Sequence, residues 1–231
     1  MSELTKQIIQ KALSEGRKAL LEPEAKQICQ EYGIPVPPFA VAKTEEEAVK
    51  AAEQFGYPVV LKIVSPQVLH KTDVGGVLVK LKNAEEVRKG YHHIIENVRR
   101  HVPDADIHGI LVTKFAEEGV EVIVGAIKDP QFGPAVMFGL GGIFVELYND
   151  VSFRLAPVSE RDAREMIQEI KAYPILTGYR GRQPCDIETI VKIIRAVSQL
   201  VTDHPEISSL DLNPIEVYPK GAYVVDARIV L

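Results

Sequence analysis

Four groups of residues in this chain are of types and spacings that do chemistry. In SPQVLHKTDVGGV (residues 65–77), His70 and Lys71 occupy a polar turn after the apolar run VVLKIV and before the pair Gly75-Gly76. Imidazole is in good part neutral near pH 7, and so can act as a nucleophile as well as a solvated or structural group. Lys62 interrupts VVLKIV itself. Either its stem lies along an edge strand with the amine in water, or its charge is aimed at an anion such as phosphate. In LDLNPIEV, strand alternation puts Asp211 and Asn213 on one side, and a hairpin brings Asp226 of YVVDAR alongside. Two carboxylates and an amide carbonyl are hard oxygen donors suited to Mg2+, which bridges one or two protein carboxylates to nucleotide phosphates. A purely structural turn at Asn213-Pro214 is the other reading. Lastly, GLGGIF places Gly139, Gly141 and Gly142 after a strand, as a phosphate-cradling loop would be. It lacks the Lys-Ser/Thr of a P-loop and the spacing of a dinucleotide fingerprint, and a tight turn explains it equally well.

These groups need elements to hold them. Residues 5–21 and 23–32 read as helices, the second opening on Pro23 and stopping at Gly33. Thr44 caps EEEAVKAAEQF, whose first turn is acidic, and YPVVLKIV reads as a buried strand. Strand GGVLVKL, helix AEEVRKGYHHIIENVRRH and strand HGILVTKF follow. Further on, VEVIVGAIKD and GPAVMFGL pair about Asp129-Pro130, and SERDAREMIQEI is a capped helix. Ile187, Ile190, Val191, Ile194, Val197 and Val201 form one face of another. ISSLDLNPIEVYP and GAYVVDARIVL close the chain as two strands joined at Lys220-Gly221. The expected fold is α+β in two lobes that meet near HGILVTKFAEEGVE, with a ligand cleft between them. The expected division is a helical extension at 1–22, a smaller lobe at 23–110 and a larger lobe at 111–231.

Composition narrows the partners. With 46% hydrophobic and 26% charged residues the chain can bury a core, which excludes a disordered chain. A net charge of −5, with no Lys/Arg cluster interleaved with aromatics, points away from nucleic acid. No apolar run approaches the roughly 18 residues of a membrane span, so a cytoplasmic protein is expected. Cys29 and Cys185 are far apart without metal-ligand spacing, as buried reduced thiols would be.

The lysine-bearing strand, the hinge strand ILVTKF, the following VEVIVGA and the closing DLNP hairpin together resemble an ATP-grasp fold. More narrowly, SPQVLHKTDVGGV, GLGGIFVELYNDVSFRLAPV, LTGYRGRQPCD and LDLNPIEV resemble the β subunits of the ADP-forming acetyl-CoA synthetase family, relatives of succinyl-CoA synthetase. The resemblance spans nearly the whole chain, with four long segments in order.

It implies a two-lobed ATP-grasp fold and an acid-thiol ligase subunit, with ADP or ATP as substrate and Mg2+ as cofactor. The reaction implied is acyl-CoA + ADP + phosphate = carboxylate + CoA + ATP, with phosphate passing through phosphohistidine. His70 then matches the family's phosphoryl carrier, and Lys62 contacts nucleotide phosphates. Asn213 and Asp226 hold Mg2+, and Asp211 either orients His70 or joins the metal ligands. The resemblance further places adenine at the backbone of Val112, Thr113, Lys114 and Phe115 and ribose at Glu118 or Glu121, with the GLGG amides facing the moving phosphoryl group. Arg154 and Arg180 remain open between phosphate or partner contact and surface ion pairing. This chain has no CoA-binding unit, so the resemblance implies an α subunit carrying CoA and the first phosphohistidine, in an α2β2 assembly. Two other classes share these residues: a stand-alone ATP-grasp carboxylate-amine ligase and a nucleotide-sensing module without transfer.

Overall fold

The computed structural model describes residues 3–68, 70–142, 145, 149–181 and 183–231. The chain divides into two compact units, the smaller made of Leu21–Pro23 and Pro37–Ala116, the larger of Met1–Leu20, Glu24–Val36 and Glu117–Leu231.

Two helices come first, α1 (Glu3–Ser14) and α2 (Glu22–Glu31). α1 buries Thr5, Ile8, Ile9 and Ala12, one stripe at helical spacing. It stops at Ser14 rather than running to residue 21, because Gly16 takes φ 70° just beyond, the left-handed turn that ends helices. The segment expected as an extension is stitched into the larger unit. The Leu20 amide donates to the Ile229 carbonyl, Leu231 donates to Lys18, and Val224 donates to Pro35. The Lys26 ammonium, fully buried, donates to the Val225 carbonyl at 2.9 Å.

The smaller unit is a four-stranded antiparallel sheet in the order β1-β4-β2-β3. Its strands are β1 (Phe39–Ala42), β2 (Val59–Val64), β3 (Val77–Leu81) and β4 (Gly109–Lys114). Helices α3 (Glu45–Phe55) and α4 (Ala84–His101) cover one face. The Thr44 and Asn83 side chains cap them by accepting from the amides of Glu47 and Glu86. Val59, Leu61 and Ile63 point into a core with Ala48, Ala52, Val87, Ile94 and Val98. Alternation therefore turns Val60, Lys62 and Val64 to the opposite face, where they too are buried. β4 lies between β1 and β2, so the smaller unit runs on through Ala116 instead of ending at residue 110.

The larger unit holds β5 (Val120–Asp129), β6 (Gly133–Leu140), β7 (Val151–Leu155), β8 (Ser209–Val217), β9 (Ala222–Val224) and β10 (Ala227–Val230). They run in the order β10-β8-β5-β6-β7, with β9 also paired to β8. Helices α5 (Glu160–Glu169), α6 (Tyr173–Leu176) and α7 (Ile187–Asp203) belong to the same unit, and α5 opens on a capping box between Ser159 and Asp162. Asp129 closes the β5–β6 hairpin by accepting from the amides of Gln131 and Phe132. Val122, Val124, Val136, Phe138, Leu210 and Leu212 are buried, and α7 packs on β5 and β6. Asp211 and Asn213, alternating with Leu210 and Leu212, fall on the other, exposed side of β8.

The last strand is not continuous as expected. It breaks at Val225-Asp226 into β9 and β10, which places Asp226 at the break. Cys29 and Cys185 are buried free thiols, and burial pushes the Cys29 thiol up to about 12. Among the described residues no helix is long and apolar enough to cross a membrane.

Candidate functional site

His70 stands exposed on the loop between β2 and β3, and among the described residues no side chain engages its imidazole. The loop base, by contrast, is fixed. The Ile63 amide donates to the Gly76 carbonyl at 2.8 Å, and the Gly76 amide donates to the Lys71 carbonyl at 2.7 Å. Short turns follow His70, with the Asp73 amide donating to the His70 carbonyl and that of Gly75 to Thr72. A methyl group on Gly76 would meet Ile63 Cγ2 at 2.7 Å and the Lys71 carbonyl oxygen at 2.9 Å, so only glycine fits that close approach.

Lys62 is not an edge-strand lysine reaching water. Its side chain is 10% exposed, and its Nζ donates to Glu22 Oε1 at 2.7 Å. Glu22, whose side chain is 2% exposed, presents its second oxygen to Lys71 Nζ at 3.2 Å. One buried carboxylate thus lies between two ammonium groups, one of them on the residue next to His70 in sequence. Sequence reasoning missed Glu22, which sat at the end of the supposed extension. The contact with Lys62 spans 40 residues of chain and leaves no local signal.

The hinge residues lie inside the smaller sheet. Val112 and Thr113 are buried, and the amides of Lys114 and Phe115 donate to the carbonyls of Pro38 and Pro58. The Lys114 ammonium donates to the Gly56 and Tyr57 carbonyls at 3.0 and 2.8 Å. Phe115 carries the Lys80 ammonium 5.0 Å from its ring centroid.

In the larger unit, Asp211, Asn213 and Asp226 do come together. The Asn213 amide donates to the Asp226 carbonyl, and the Asn213 side chain hydrogen-bonds the Asp211 carboxylate. Solvent reaches Asp211, yet the surrounding structure displaces enough water, and Asp226 adds enough like charge, to hold its carboxyl above the ordinary range. Arg228, its cross-strand neighbour on β10, pulls the other way. Among the described residues no group of three His, Cys, Asp or Glu could hold a metal. Two carboxylates and one amide oxygen instead fit a cation that keeps much of its own water, and mutual repulsion between the carboxylates is what such a cation would relieve.

A second acidic group surrounds the glycine loop. Glu121, exposed on β5, is paired in register with Glu216 on β8, and its carbonyl accepts from the Gly141 amide at 2.8 Å. Glu216 is 7% exposed and accepts from the Gly119 amide at 2.7 Å; burial raises its carboxyl, as do Glu121 and Glu118. A methyl group on Gly141 would sit 2.8 Å from Glu121 Cβ, so the loop backbone lies directly against that residue. Gly139, next to last in β6, pairs with Val151, and Gly142 takes φ 62°. Residues 143, 144 and 146–148, which complete the quoted glycine segment, lie outside the described residues. Glu216 carried a sequence signal that went unused, as an acid in the apolar end of LDLNPIEV.

Arg154 is taken up by surface ion pairs, bonding Glu169 through both terminal nitrogens and lying 3.8 Å from Glu165. Arg180 adopts φ 54° with its guanidinium 5.4 Å from the Tyr179 ring centroid.

A family model of the ATP-grasp domain matches residues 11–231. The β subunit of acetate–CoA ligase [ADP-forming] I from Pyrococcus furiosus is 56% identical over 98% of this chain and 97% of that protein. The chain belongs to that ATP-grasp family of ADP-forming acetate–CoA ligase β subunits. Acetate–CoA ligase [ADP-forming] I of Archaeoglobus fulgidus is 47% identical over 99% of this chain, but this chain spans only 33% of it. In that family member the same domain is part of a longer polypeptide. Among solved structures, an acetyl-coenzyme A synthetase of Ca. Korarchaeum cryptofilum bound to coenzyme A and Ca-AMPCP matches with TM-score 0.95 and 58% identity over 98% of this chain and 99% of that one. Another state of that protein holds coenzyme A and Mg-AMPPCP, its phosphohistidine segment pointing towards the nucleotide binding site; TM-score is 0.88 and identity 53% over 98% and 99% of the two chains. The family's mixed helix-and-sheet ATP-grasp fold is the fold of this chain.

Proposed function

We propose that this chain is the nucleotide-binding β subunit of an ADP-forming acyl-CoA synthetase, acting on acetyl-CoA, and that His70 is its phosphoryl carrier. A ring nitrogen of His70 takes the phosphoryl group from a phosphohistidine on a partner α subunit, releasing that imidazole, and yields it to a terminal phosphate oxygen of ADP. Combined with the partner's chemistry, the net reaction is acyl-CoA + ADP + phosphate = carboxylate + CoA + ATP, in an α2β2 assembly.

The observation that carries this reading is an exposed imidazole, engaged by no side chain among the described residues, on a loop pinned at its base. A structural histidine would be bonded into its surroundings; a carrier needs a ring nitrogen open to phosphorus. Phosphoryl transfer otherwise asks mainly for positioning and neutralisation of charge. Lys62 supplies a cation to phosphate oxygens. Asn213 and Asp226 would hold Mg2+, which when bound neutralises charge on the nucleotide phosphates. Asp211 accepts the side-chain amide of Asn213 and so leaves the Asn213 carbonyl oxygen to face the metal. Adenine is read by hinge backbone near Val112 to Phe115, and because the Lys114 and Phe115 amides are already donated, carbonyls and the residues just beyond carry that recognition. Glu118 or Glu121 takes the ribose, and the Gly139, Gly141 and Gly142 segment faces the moving phosphoryl group.

The test is incubation of the chain with Mg2+ and γ-labelled ATP. An acid-labile, base-stable label mapping to His70, and lost in His70→Ala, is expected. Retained net turnover by His70→Ala with its α-type partner would overturn the carrier role in favour of direct ligation.

A further inference from the structure

The triad of buried Glu22 and Lys62 with half-buried Lys71 is more than the burial of one lysine requires. A single carboxylate–ammonium pair would satisfy Lys62. Instead Glu22 accepts a hydrogen bond from a lysine in the sheet at 2.7 Å and sets its other oxygen in an ion pair, 3.2 Å from a lysine on the loop that carries His70 and without hydrogen-bond geometry. Lys71 adjoins His70, and its own carbonyl accepts the Gly76 amide that closes the loop base. The residues around Glu22, Leu21–Pro23, group with the smaller unit although the helix they begin groups with the larger one.

We infer that Glu22 is a positioning residue for phosphoryl transfer: it latches the His70 loop to the sheet through Lys71 while holding the Lys62 ammonium for phosphate. This rests on the carrier reading of His70 for its role in the reaction, but the latch itself does not. The physical logic is competition for one carboxylate. When anionic phosphate draws Lys62 away from Oε1, Lys71 loses a competitor for the Glu22 carboxylate, and the hold on the loop tightens. Nucleotide at Lys62 therefore quietens the loop, and the link between them is one side chain.

Two variants separate the parts. Glu22→Gln removes the charge from both oxygens; Lys71→Met cuts only the loop tie and leaves the Lys62 pair. Hydrogen exchange of the Ile63 and Gly76 amides is expected to quicken about tenfold or more in both variants. Mg-ADP slows that exchange in the unmodified chain and no longer does so in either variant. In labelling of His70 by Mg-ATP, Lys71→Met lowers the maximal rate with little change in half-saturating ATP, whereas Glu22→Gln also raises half-saturation. Wild-type exchange at Ile63 and Gly76 in folded Lys71→Met, or in folded Glu22→Gln, overturns the latch. Should Glu22→Gln fail to fold, Lys71→Met decides alone. Faster exchange with no label on His70 in the unmodified chain upholds the latch and removes the carrier reading.

Discussion

Replacing Gly76 with alanine tests how firmly the His70 loop is seated. The added methyl carbon would lie 2.7 Å from Ile63 Cγ2 and 2.9 Å from the Lys71 carbonyl oxygen, against the 3.5–4.0 Å at which carbon contacts are favourable. Ile63 has no room to yield: it is fully buried in β2 and paired with Ile110 on β4. The loop must move instead, opening the 2.7 Å bond from the Gly76 amide to Lys71. Overpacking of this kind costs about 1–3 kcal/mol and a lost hydrogen bond about 1 kcal/mol, so the seated loop should weaken by about 2–4 kcal/mol. That is roughly 30- to 700-fold in the opening equilibrium. Gly75→Ala is the control. Gly75 takes φ 65°, and the nearest atom to an added methyl is the end of the Asn97 side chain, which can turn away. Only left-handed backbone strain of about 1–2 kcal/mol remains, or roughly 5- to 30-fold. Exchange of the Ile63 amide, read by NMR, should rank Gly76→Ala above Gly75→Ala above the unmodified chain. Equal rates in Gly76→Ala and the unmodified chain, or a reversed order, would refute the account of the loop base.

Two further predictions concern the larger unit. Because burial and Asp226 raise the Asp211 carboxyl, the folded chain binds that proton more readily than the unfolded chain, and Asp211 lowers stability as pH rises from about 3.9 through its raised value. Asp211→Asn should therefore melt higher than the unmodified chain at pH 7, with the gap closing on acidification, while His70 labelling slows; a gap that widens at low pH contradicts the assignment. Asp226→Asn removes one proposed metal ligand, so the Mg2+ concentration for half-maximal labelling should rise about tenfold or more while Arg154→Ala leaves it unchanged. An unshifted Mg2+ titration in Asp226→Asn would move the metal elsewhere.

Local signals made much of the fold legible. The caps at Thr44 and Ser159 and the apolar stripe of α7 are written in a few neighbouring residues, and those helices formed where the sequence placed them. The all-apolar flanks of Lys62 foretold a fully buried strand. What stayed hidden depends on distant partners. β7 pairs with β6 only after the glycine loop, and the helical reading of residues 15–21 failed because Lys18 and Leu20 are drawn into backbone bonds with residues 229–231. At the site, the Asp211–Asn213 alternation was readable from period two, but Glu22 was invisible because its chemistry lies 40 residues away. A lysine buried in an apolar strand does imply an acid somewhere; it does not say which one.

The stitching of residues 18–36 to residues 222–231 bears on the order in which the chain can be assembled during synthesis. The smaller sheet is built wholly from residues 39–114, so a ribosome that has released that stretch has released every strand the sheet needs. The larger sheet has β8, the neighbour of both β5 and β10, from residues 209–217, and residues 18–20 find their backbone partners only among residues 229–231. Residues 18–20 therefore cannot close their backbone bonds until residues 229–231 have been made. Such long-range closure slows folding and leaves apolar surface open to chaperones in the interval.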